Sequence, residues 1–378
     1  MRKEDFPVLQ RKNVTYLDSA CMSLKPEKVL EAVQSYYQDL SACPGRSSHS
    51  LSRETTEKVE EAREKIAQFI DAEKQDIAFT SGTTESLNLA SQAFEPEKVV
   101  VSDKEHNSNL IPWQENDIHI LETGGDLDME RLDSLVDEET VVSLYHHSNV
   151  DGSELQIREV SRVVHENGGF LVVDAAQSVS HTKVSVEELD PDVLAFSGHK
   201  ALGPTGTGVL YASDRVKEKF SKVKTGGSTV SDSRYRSAEY RDFPDCVEAG
   251  LPNAAGIIGL GAAVEYLQDI GLERIERHEK QLSEEFRNRA EEISGLEIVG
   301  DEGYGVFSLR FDGIGSHQVA EILDRKDIAV RAGRHCVHSW FNDRDEAPAF
   351  RASLHLYNDE KDLDEFFRAL EQIAVLNR

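Results

Sequence analysis

The chain has 378 residues, 39% of them apolar, which is enough for two domains with buried cores. Its 70 acidic and 42 basic residues give a formal net charge of -28, and such a charge repels nucleic-acid phosphates and anionic membrane surfaces. No stretch approaches the roughly 18 apolar residues of a membrane-spanning helix, and the amino terminus lacks the apolar core of a signal peptide, so we expect no nucleic-acid or membrane partner.

Helical and strand patterns alternate from about residue 55 onward. The spacing of apolar residues predicts helices over 55–70, 82–90 and 154–167. Short apolar runs at 76–80, 98–101, 117–121, 141–145, 170–173 and 193–196 predict buried parallel strands. Repeated β–α units of this kind favour a mostly parallel sheet with helices on both faces.

The rest of the chain predicts a second, smaller α/β unit. A long helical stretch begins at 252, breaks near Gly271 and ends near 293, and we expect it to bridge two domains. Strands are predicted at 305–311 and 328–331, and helices at 316–325 and from 359 onward. We therefore predict a large domain over 16–263 and a small domain formed by 1–15 and 264–378.

Polar clusters follow four of the predicted strands, at the edge where open parallel sheets bind ligands. They read Thr-Ser-Gly-Thr-Thr-Glu at 80–85, His-His-Ser-Asn at 146–149, Asp-Ala-Ala-Gln at 174–177 and Ser-Gly-His-Lys at 197–200. The hydroxyls and backbone amides of 81–84 suit a phosphate dianion at the start of a helix, with simple capping as the alternative.

Lys200 and Asp174 favour a covalently bound cofactor. Lys200 follows an apolar strand, and desolvation there would lower its pKa and free the amine to condense with an aldehyde. A surface lysine after a turn is the alternative. Asp174 ends another strand and suits a protonated pyridine nitrogen, which makes the ring an electron sink, with a helix N-cap as the alternative.

Three further residues complete the pattern. His106 follows a strand and suits stacking on an aromatic ring. Cys336 ends the segment Arg-Ala-Gly-Arg-His-Cys at 331–336, where two arginines and a histidine favour the nucleophilic thiolate. Arg351 suits a two-pronged bond to a carboxylate. Each has an ordinary structural alternative, so the prediction depends on the order of the whole set along the chain.

The cysteine and charge patterns indicate the compartment. Cys21, Cys43, Cys246 and Cys336 form no CxxC pair and no cluster with zinc-site spacing, which predicts a reducing cytoplasm and no metal site. The acidic residues are spread along the whole chain, which we interpret as a halophile-like acidic surface, with ordinary solubility charge as the alternative.

In combination these motifs resemble the class V aminotransferase group of fold-type I pyridoxal-phosphate enzymes. The resemblance is greatest to the group II cysteine desulfurases and selenocysteine lyases of the sulfur-mobilisation type, and it covers nearly the whole chain. The motifs include Tyr-Leu-Asp-Ser-Ala at 16–20, Gly-Thr-Thr-Glu at 82–85, Val-Asp-Ala-Ala-Gln at 173–177, Phe-Ser-Gly-His-Lys at 196–200, Val-Arg-Ala-Gly-Arg-His-Cys at 330–336 and Arg-Ala-Ser-Leu-His-Leu-Tyr-Asn at 351–358. The resemblance implies a large cofactor-binding domain with a mostly parallel sheet and a smaller C-terminal α/β domain.

The resemblance also implies a role for each site residue. Lys200 bonds to pyridoxal phosphate and moves protons, Cys336 attacks the substrate sulfur, and His106 is the third residue assigned to catalysis. The implied cofactor contacts are Thr83, Thr84, His106, Asn149, Asp174, Gln177, Ser197, His199 and Lys200, and the implied substrate contacts are Asn149, Arg351 and Arg331.

The implied reaction converts L-cysteine to L-alanine and leaves a persulfide on Cys336, in a homodimer. The segment from Cys336 to Arg351 is short, so we expect a sulfur-acceptor protein to collect the sulfur, for iron–sulfur cluster assembly or for tRNA thiolation. The chain departs from many relatives at Arg334, at Leu251, and at Cys43, which is either a second sulfur handler or a packing residue. A selenocysteine lyase, an aminotransferase on another amino acid, and a scaffold or sensor without turnover stay open as alternatives.

Overall fold

The computed structural model of the chain describes residues 2–124 and 127–376. Its α-helices are α1 (Pro7–Arg11), α2 (Glu27–Ser35), α3 (Ser50–Phe69), α4 (Thr83–Phe94), α5 (Asn107–Leu110), α6 (Met129–Leu135), α7 (Ile157–Glu166), α8 (Val186–Leu189), α9 (Ala254–Ile270), α10 (Leu272–Glu291), α11 (Ser316–Asp324), α12 (His338–Asp343) and α13 (Glu360–Leu376). Its strands are β1 (Thr15–Tyr16), β2 (Ile77–Thr80), β3 (Lys98–Ser102), β4 (Asp117–Leu121), β5 (Thr140–Tyr145), β6 (Phe170–Asp174), β7 (Val193–Ser197), β8 (Gly208–Ala212), β9 (Val230–Arg234), β10 (Ser237–Tyr240), β11 (Leu296–Val299), β12 (Val306–Phe311), β13 (Ile328–Ala329), β14 (Arg331–Gly333) and β15 (Ala349–Ser353).

A seven-stranded sheet forms the centre of the larger unit, in the order β2-β8-β7-β6-β5-β3-β4. Neighbouring strands from β7 to β4 pair in parallel, and only β8, which the sequence patterns did not predict, runs antiparallel to β2 and β7. The apolar runs predicted as strands are buried, apart from the run at 117–121, because helices cover both faces. The predicted α/β architecture with a mostly parallel sheet is therefore confirmed.

Three local predictions were wrong in detail. The run at 117–121 is the edge strand β4, where Ile120 is 40% exposed because the strand has a neighbour on one side only. The strand predicted at 328–331 is split, because β13 pairs with β1 whereas β14 pairs with β15. Helix α7 begins at Ile157 rather than at 154, since Glu154 pairs with His147 in an isolated β-bridge.

The smaller unit contains an antiparallel sheet in the order β11-β12-β15-β14. The helices α9 and α10 precede it, and the predicted break between them falls at Gly271, whose φ of 89° is readily adopted only by glycine. Phe6 packs in the apolar core of the larger unit and Leu17 in that of the smaller one. The predicted domain division at 16–263 stays a prediction.

A search of the described helices found none that is both long and apolar enough to cross a membrane. The four cysteines form no disulfide in the described structure.

Candidate active site

Lys200 and Asp174 follow neighbouring strands at the same edge of the large sheet. Strand β6 ends at Asp174, which pairs with Ala195 of β7, and the turn after β7 carries Lys200. Asp174 is buried and accepts a 2.9 Å hydrogen bond from the backbone N–H of Ala176 on Oδ1. Burial lowers the pKa of Lys200, against the attraction of the Asp174 carboxylate. The amine is therefore kept in a site that favours its nucleophilic form.

The start of helix α4 lies against the end of β7. The backbone N–H of Thr83 donates to Ser197 Oγ at 2.8 Å, and the two hydroxyls lie 2.7 Å apart. Thr84 Oγ1 lies 2.8 Å from Ser108 Oγ. This cluster of hydroxyls at the positive end of a helix suits a phosphate group.

His106 caps the short helix α5, and its Nδ1 accepts a 3.1 Å hydrogen bond from the backbone N–H of Ser108. Burial, with Lys200 and two arginines nearby, lowers the pKa of His106 to about 3. The ring is therefore neutral at physiological pH, which suits packing against another ring better than an imidazolium would.

The neighbouring Glu105 is a site residue whose role the sequence patterns did not reveal. Its buried carboxyl group, whose pKa is raised to about 8 by burial, accepts hydrogen bonds from Ser102 Oγ at 2.6 Å, Asn109 Nδ2 at 2.7 Å and the backbone N–H of Tyr145 at 3.0 Å. These bonds join the loop that carries His106 to the buried strand β5, and so fix the position of the ring.

Arg351 lies on β15 and is only 1% exposed. Its Nη1 donates to the backbone carbonyl of Asn149 at 2.9 Å, and its Nη2 lies 3.5 Å from Asp18 Oδ1. Its Nε has no hydrogen-bond partner among the described residues. The long ion pair with Asp18 leaves this buried cation only partly compensated, which favours the binding of a carboxylate.

Asn149 is held on its other side by the turn that carries Cys336. Its side-chain Nδ2 donates to the backbone carbonyl of His335 at 2.7 Å. His335 and Cys336 both have left-handed backbone conformations, with φ of 50° and 61°. Such conformations cost a non-glycine residue free energy and persist only where the surroundings fix them.

Arg331 contacts two thiols at once. Its Nη2 donates to Cys336 Sγ at 3.4 Å, and its Nη1 donates to Cys21 Sγ at 3.0 Å. No role was predicted for Cys21, because its position after the motif at 16–20 does not by itself indicate one. Arg331, which is predicted to contact the substrate, therefore also contacts the sulfur atoms of Cys21 and Cys336.

The remaining predicted residues lie in or near the same cleft, except for Cys43. Gln177 Nε2 donates to the backbone carbonyl of Ala20 at 2.8 Å. Burial, together with the charge of Lys200, lowers the pKa of His199 to about 4. Cys43 Sγ contacts the carbonyl of Pro44 at 3.8 Å, and no described contact joins it to Cys336 or Lys200.

Two His–carboxylate groups outside this set lie close enough to hold a metal ion: His146, His147 and Glu154, and His181, Glu279 and His355. In the second group His181 Nδ1 lies 2.8 Å from Glu279 Oε2, and His355 Nδ1 lies 3.2 Å from Glu279 Oε1. These ligand atoms are therefore already paired with one another, and the prediction that the chain has no metal site stays untested.

Comparison with known proteins gives consistent results along the whole chain. The family model for class-V aminotransferases matches residues 15–366. A probable cysteine desulfurase of Halalkalibacterium halodurans is 37% identical over 98% of this chain and 96% of its own length, and a cysteine desulfurase of Haloferax volcanii is 34% identical over 99% and 96%.

The solved structures give the same picture. The apo structure of a cysteine desulfurase from Thermococcus onnurineus has a TM-score of 0.94 and 34% identity, covering 99% of this chain and 97% of that one. A cysteine desulfurase from Escherichia coli has a TM-score of 0.92 and 31% identity, covering 100% and 98%. The site described above therefore lies in a fold that these enzymes share.

Proposed function

The chain belongs to the class-V aminotransferase family and to the cysteine desulfurases within it, and on that premise we propose that Lys200 holds pyridoxal phosphate while Cys336 takes sulfur from L-cysteine. The observation that carries the proposal is the proximity of one amine, one carboxylate and one thiol beside the edge of the large sheet. Burial lowers the pKa of Lys200, whereas Asp174 and, more weakly, Cys336 raise it. The amine therefore lies within electrostatic reach of both groups.

The residues at the site fit this cofactor. The backbone N–H of Ala176 donates to Oδ1 of Asp174, which leaves Oδ2 for a protonated pyridine nitrogen. The helix start at Thr83, with the hydroxyls of Ser197 and Thr84, suits the phosphate. Pyridoxal phosphate, when bound, withdraws electrons from the substrate Cα and makes its proton acidic. Asn149, Gln177, His106 and His199 complete the proposed cofactor contacts.

The neutral His106 ring supplies a flat, uncharged face. Burial raises the pKa of Asp174 against the attraction of Lys200, and a protonated ring nitrogen would stabilise the charged form of this carboxyl group. With substrate bound, the Lys200 amine, which lies within electrostatic reach of Asp174, would accept the Cα proton. Its lowered pKa suits this role, because a base that is already protonated accepts no proton.

Arg351 binds the substrate carboxylate in this proposal. Its buried guanidinium presents five N–H donors, and its hydrogen bonds to the described residues are one from Nη1 and a long one from Nη2. Arg331 supports the thiol side of the cleft, since it donates to Cys336 Sγ. In this proposal Arg351 lies at the carboxylate end of the cysteine substrate and Arg331 lies at its sulfur end.

In the sulfur step Cys336 Sγ attacks the substrate sulfur and the substrate C–S bond breaks. L-Cysteine and the Cys336 thiol become L-alanine and a Cys336 persulfide, so the atoms and electrons balance. Because the turn at 335–336 is tied to Asn149 and Asn107, Cys336 has little freedom to carry the sulfur away. An acceptor protein that docks at this turn is the partner that this geometry favours.

We further propose a homodimer, as the family resemblance implies, and a reducing cytoplasm, which the four free thiols support. The salt-adapted interpretation of the acidic surface is supported by the net charge of -28. Iron–sulfur cluster assembly is one use of the sulfur, and tRNA thiolation is the other.

The experiment compares the purified holoenzyme with Cys336→Ala and Lys200→Ala, with alanine, sulfide and the visible absorbance of the lysine-bound cofactor measured on L-cysteine. We expect Cys336→Ala to keep the absorbance and lose alanine release, and Lys200→Ala to lose both. Cys43→Ala is the matched control, a half-buried thiol outside the cleft, and should remain active.

Two outcomes would contradict the proposal. A Cys336→Ala variant with full activity on its best substrate would favour an aminotransferase or another lyase. A protein that takes up no cofactor would favour the scaffold or sensor. Parallel assays with selenocysteine separate a selenocysteine lyase from a desulfurase.

A further inference from the structure

A second thiol shares the cation that contacts Cys336, and the proposed reaction does not use it. Arg331 donates from Nη1 to Cys21 Sγ at 3.0 Å and from Nη2 to Cys336 Sγ at 3.4 Å. These are the two terminal nitrogens of one planar guanidinium, which keeps its charge at every physiological pH. Both cysteines are half-buried, whereas Cys246 is fully buried.

The backbones on both sides of this cation are fixed. Next to Cys21, the N–H of Ala20 donates to Ser353 Oγ at 2.9 Å, and its carbonyl accepts from Gln177 Nε2 at 2.8 Å. On the other side, the carbonyl of Cys336 accepts a 2.7 Å hydrogen bond from the N–H of Asn107. The two sulfurs are therefore kept on the same guanidinium by the fold rather than by a mobile loop.

Cys21 also lies within electrostatic reach of Lys200. The pKa of Lys200 is lowered by burial, and the opposing influences include both Cys21 and Cys336. A thiol that served only for packing would be better placed in an apolar core, as Cys246 is, than against Lys200, Arg331 and Arg351.

The geometry points to Cys21 as a second sulfur carrier, which accepts the outer sulfur of the Cys336 persulfide. The inference rests on the proposed desulfurase function. The Cys21 thiolate forms a bond to the outer sulfur, the S–S bond to Cys336 breaks, and the electron pair leaves with Cys336 as its thiolate. A persulfide and a thiolate become a thiolate and a persulfide, so no oxidant or reductant is consumed.

Arg331 faces both the attacking and the leaving sulfur. Negative charge moves from Cys21 to Cys336 during the transfer and stays beside the same guanidinium throughout. The transfer returns Cys336 to its free form, so a second L-cysteine can react before any acceptor arrives. One chain then stores up to twice the sulfane sulfur of an enzyme with Cys336 alone.

The test treats holoenzyme with excess L-cysteine without reductant, blocks thiols and persulfides with an alkylating agent, and maps the peptides by mass spectrometry. We expect the mass of one extra sulfur atom on the Cys21 peptide and on the Cys336 peptide, and an unmodified Cys43 peptide as the internal control. In Cys336→Ala, the Cys21 peptide should carry no extra sulfur. In Cys21→Ser, total cyanide-reactive sulfur per chain should fall to about half.

Three outcomes would overturn the inference. Sulfur on Cys336 alone leaves the desulfurase proposal intact and excludes the transfer. Equal sulfur on Cys21 and Cys43 indicates uptake of diffusing polysulfide, and a Cys21–Cys336 disulfide without a Cys21 persulfide indicates a resolving thiol that releases sulfide. A chain that gains no sulfur and releases no alanine contradicts the proposed function itself.

Discussion

The backbone N–H of Asn107 donates a 2.7 Å hydrogen bond to the carbonyl of Cys336. This bond joins the segment that caps helix α5 with His106 to the left-handed turn that presents the reactive thiol. The side chain adds a second link, since Asn107 Nδ2 lies 3.0 Å from His338 Nδ1. The proposed cofactor face and the proposed sulfur-accepting thiol are therefore positioned relative to each other by the contacts of one residue, Asn107.

Asn107→Pro removes the backbone hydrogen bond to Cys336 together with the side-chain contact to His338. Asn107 is the first residue of α5, where proline fits, and His106 has φ -58° and ψ 143°, which a following proline accepts. Loss of one hydrogen bond of about 1 kcal/mol should lower kcat for alanine release by roughly fivefold, with unchanged cofactor absorbance. Asn107→Ala keeps the N–H and serves as the control; equal defects in both variants would assign the effect to the side chain.

Arg351→Lys tests the proposed carboxylate contact. Lysine keeps the charge but loses the planar fork that binds a carboxylate through two bonds. We expect kcat/KM for L-cysteine to fall by roughly 10- to 100-fold, mostly through KM, because a hydrogen bond to a charged group contributes about 1.5–3 kcal/mol. Arg162→Lys, at an exposed arginine that pairs with Glu166, should leave both constants unchanged. An unchanged KM in Arg351→Lys would place the carboxylate elsewhere.

His106→Asn tests the neutral histidine through its effect on stability. The ordinary pKa of 6.5 applies to the unfolded chain, whereas the folded chain holds His106 at about 3. Between these values the unfolded state binds more protons, so His106 makes the folded chain less stable as pH falls from 7 toward 3. The substitution should reduce the loss between pH 7 and pH 5 by about 2 kcal/mol.

Asparagine is the matched replacement because its side chain also caps a helix and can accept from the N–H of Ser108. Urea unfolding of the cofactor-free chain at the two pH values gives the measurement. Equal pH dependence in the variant and the parent would mean that the ring is charged in the folded chain.

Most of the large sheet and the order of the site residues could be predicted because each signal was local. The predicted strands are short apolar runs, and four of the six are followed by a polar cluster, as at Asp174 and Lys200. Strand β8 was missed because it begins at Gly208, a residue type that is unfavourable in strands. The family assignment is confirmed by the comparisons, whereas the roles of individual site residues stay predictions.

The contacts that complete the site could not be predicted, because they join distant parts of the chain. Arg331 meets Cys21 across 310 positions, and Arg351 meets Asp18 across 333. Periodicity and spacing report on neighbours within one element and carry no information on such pairs. The role of Glu105 was missed for a related reason: Ser102 and Asn109 are close to it in the sequence, but the Tyr145 amide that joins it to strand β5 lies 40 positions away.

Gly208→Ala tests whether the phosphate end of the site depends on close backbone packing. A Cβ at Gly208 would lie 2.4 Å from Gly82 Cα and 2.6 Å from Gly82 N, and backbone atoms have no free rotamer by which to move away. Strand β8 and the start of α4 must therefore separate. We expect a loss of about 1–3 kcal/mol in stability, as for other overpacked cores.

The same separation should weaken cofactor binding, because Gly82 directly precedes the Thr83 amide that contacts Ser197. Titration of the cofactor-free variant with pyridoxal phosphate should give a higher Kd than for the parent chain. Gly124→Ala is the control, since a Cβ there meets no atom within 4 Å and its backbone lies outside the left-handed region. If Gly208→Ala lowered stability but bound the cofactor as tightly as Gly124→Ala, the close packing would support the sheet alone, and the phosphate would have to be held from another element.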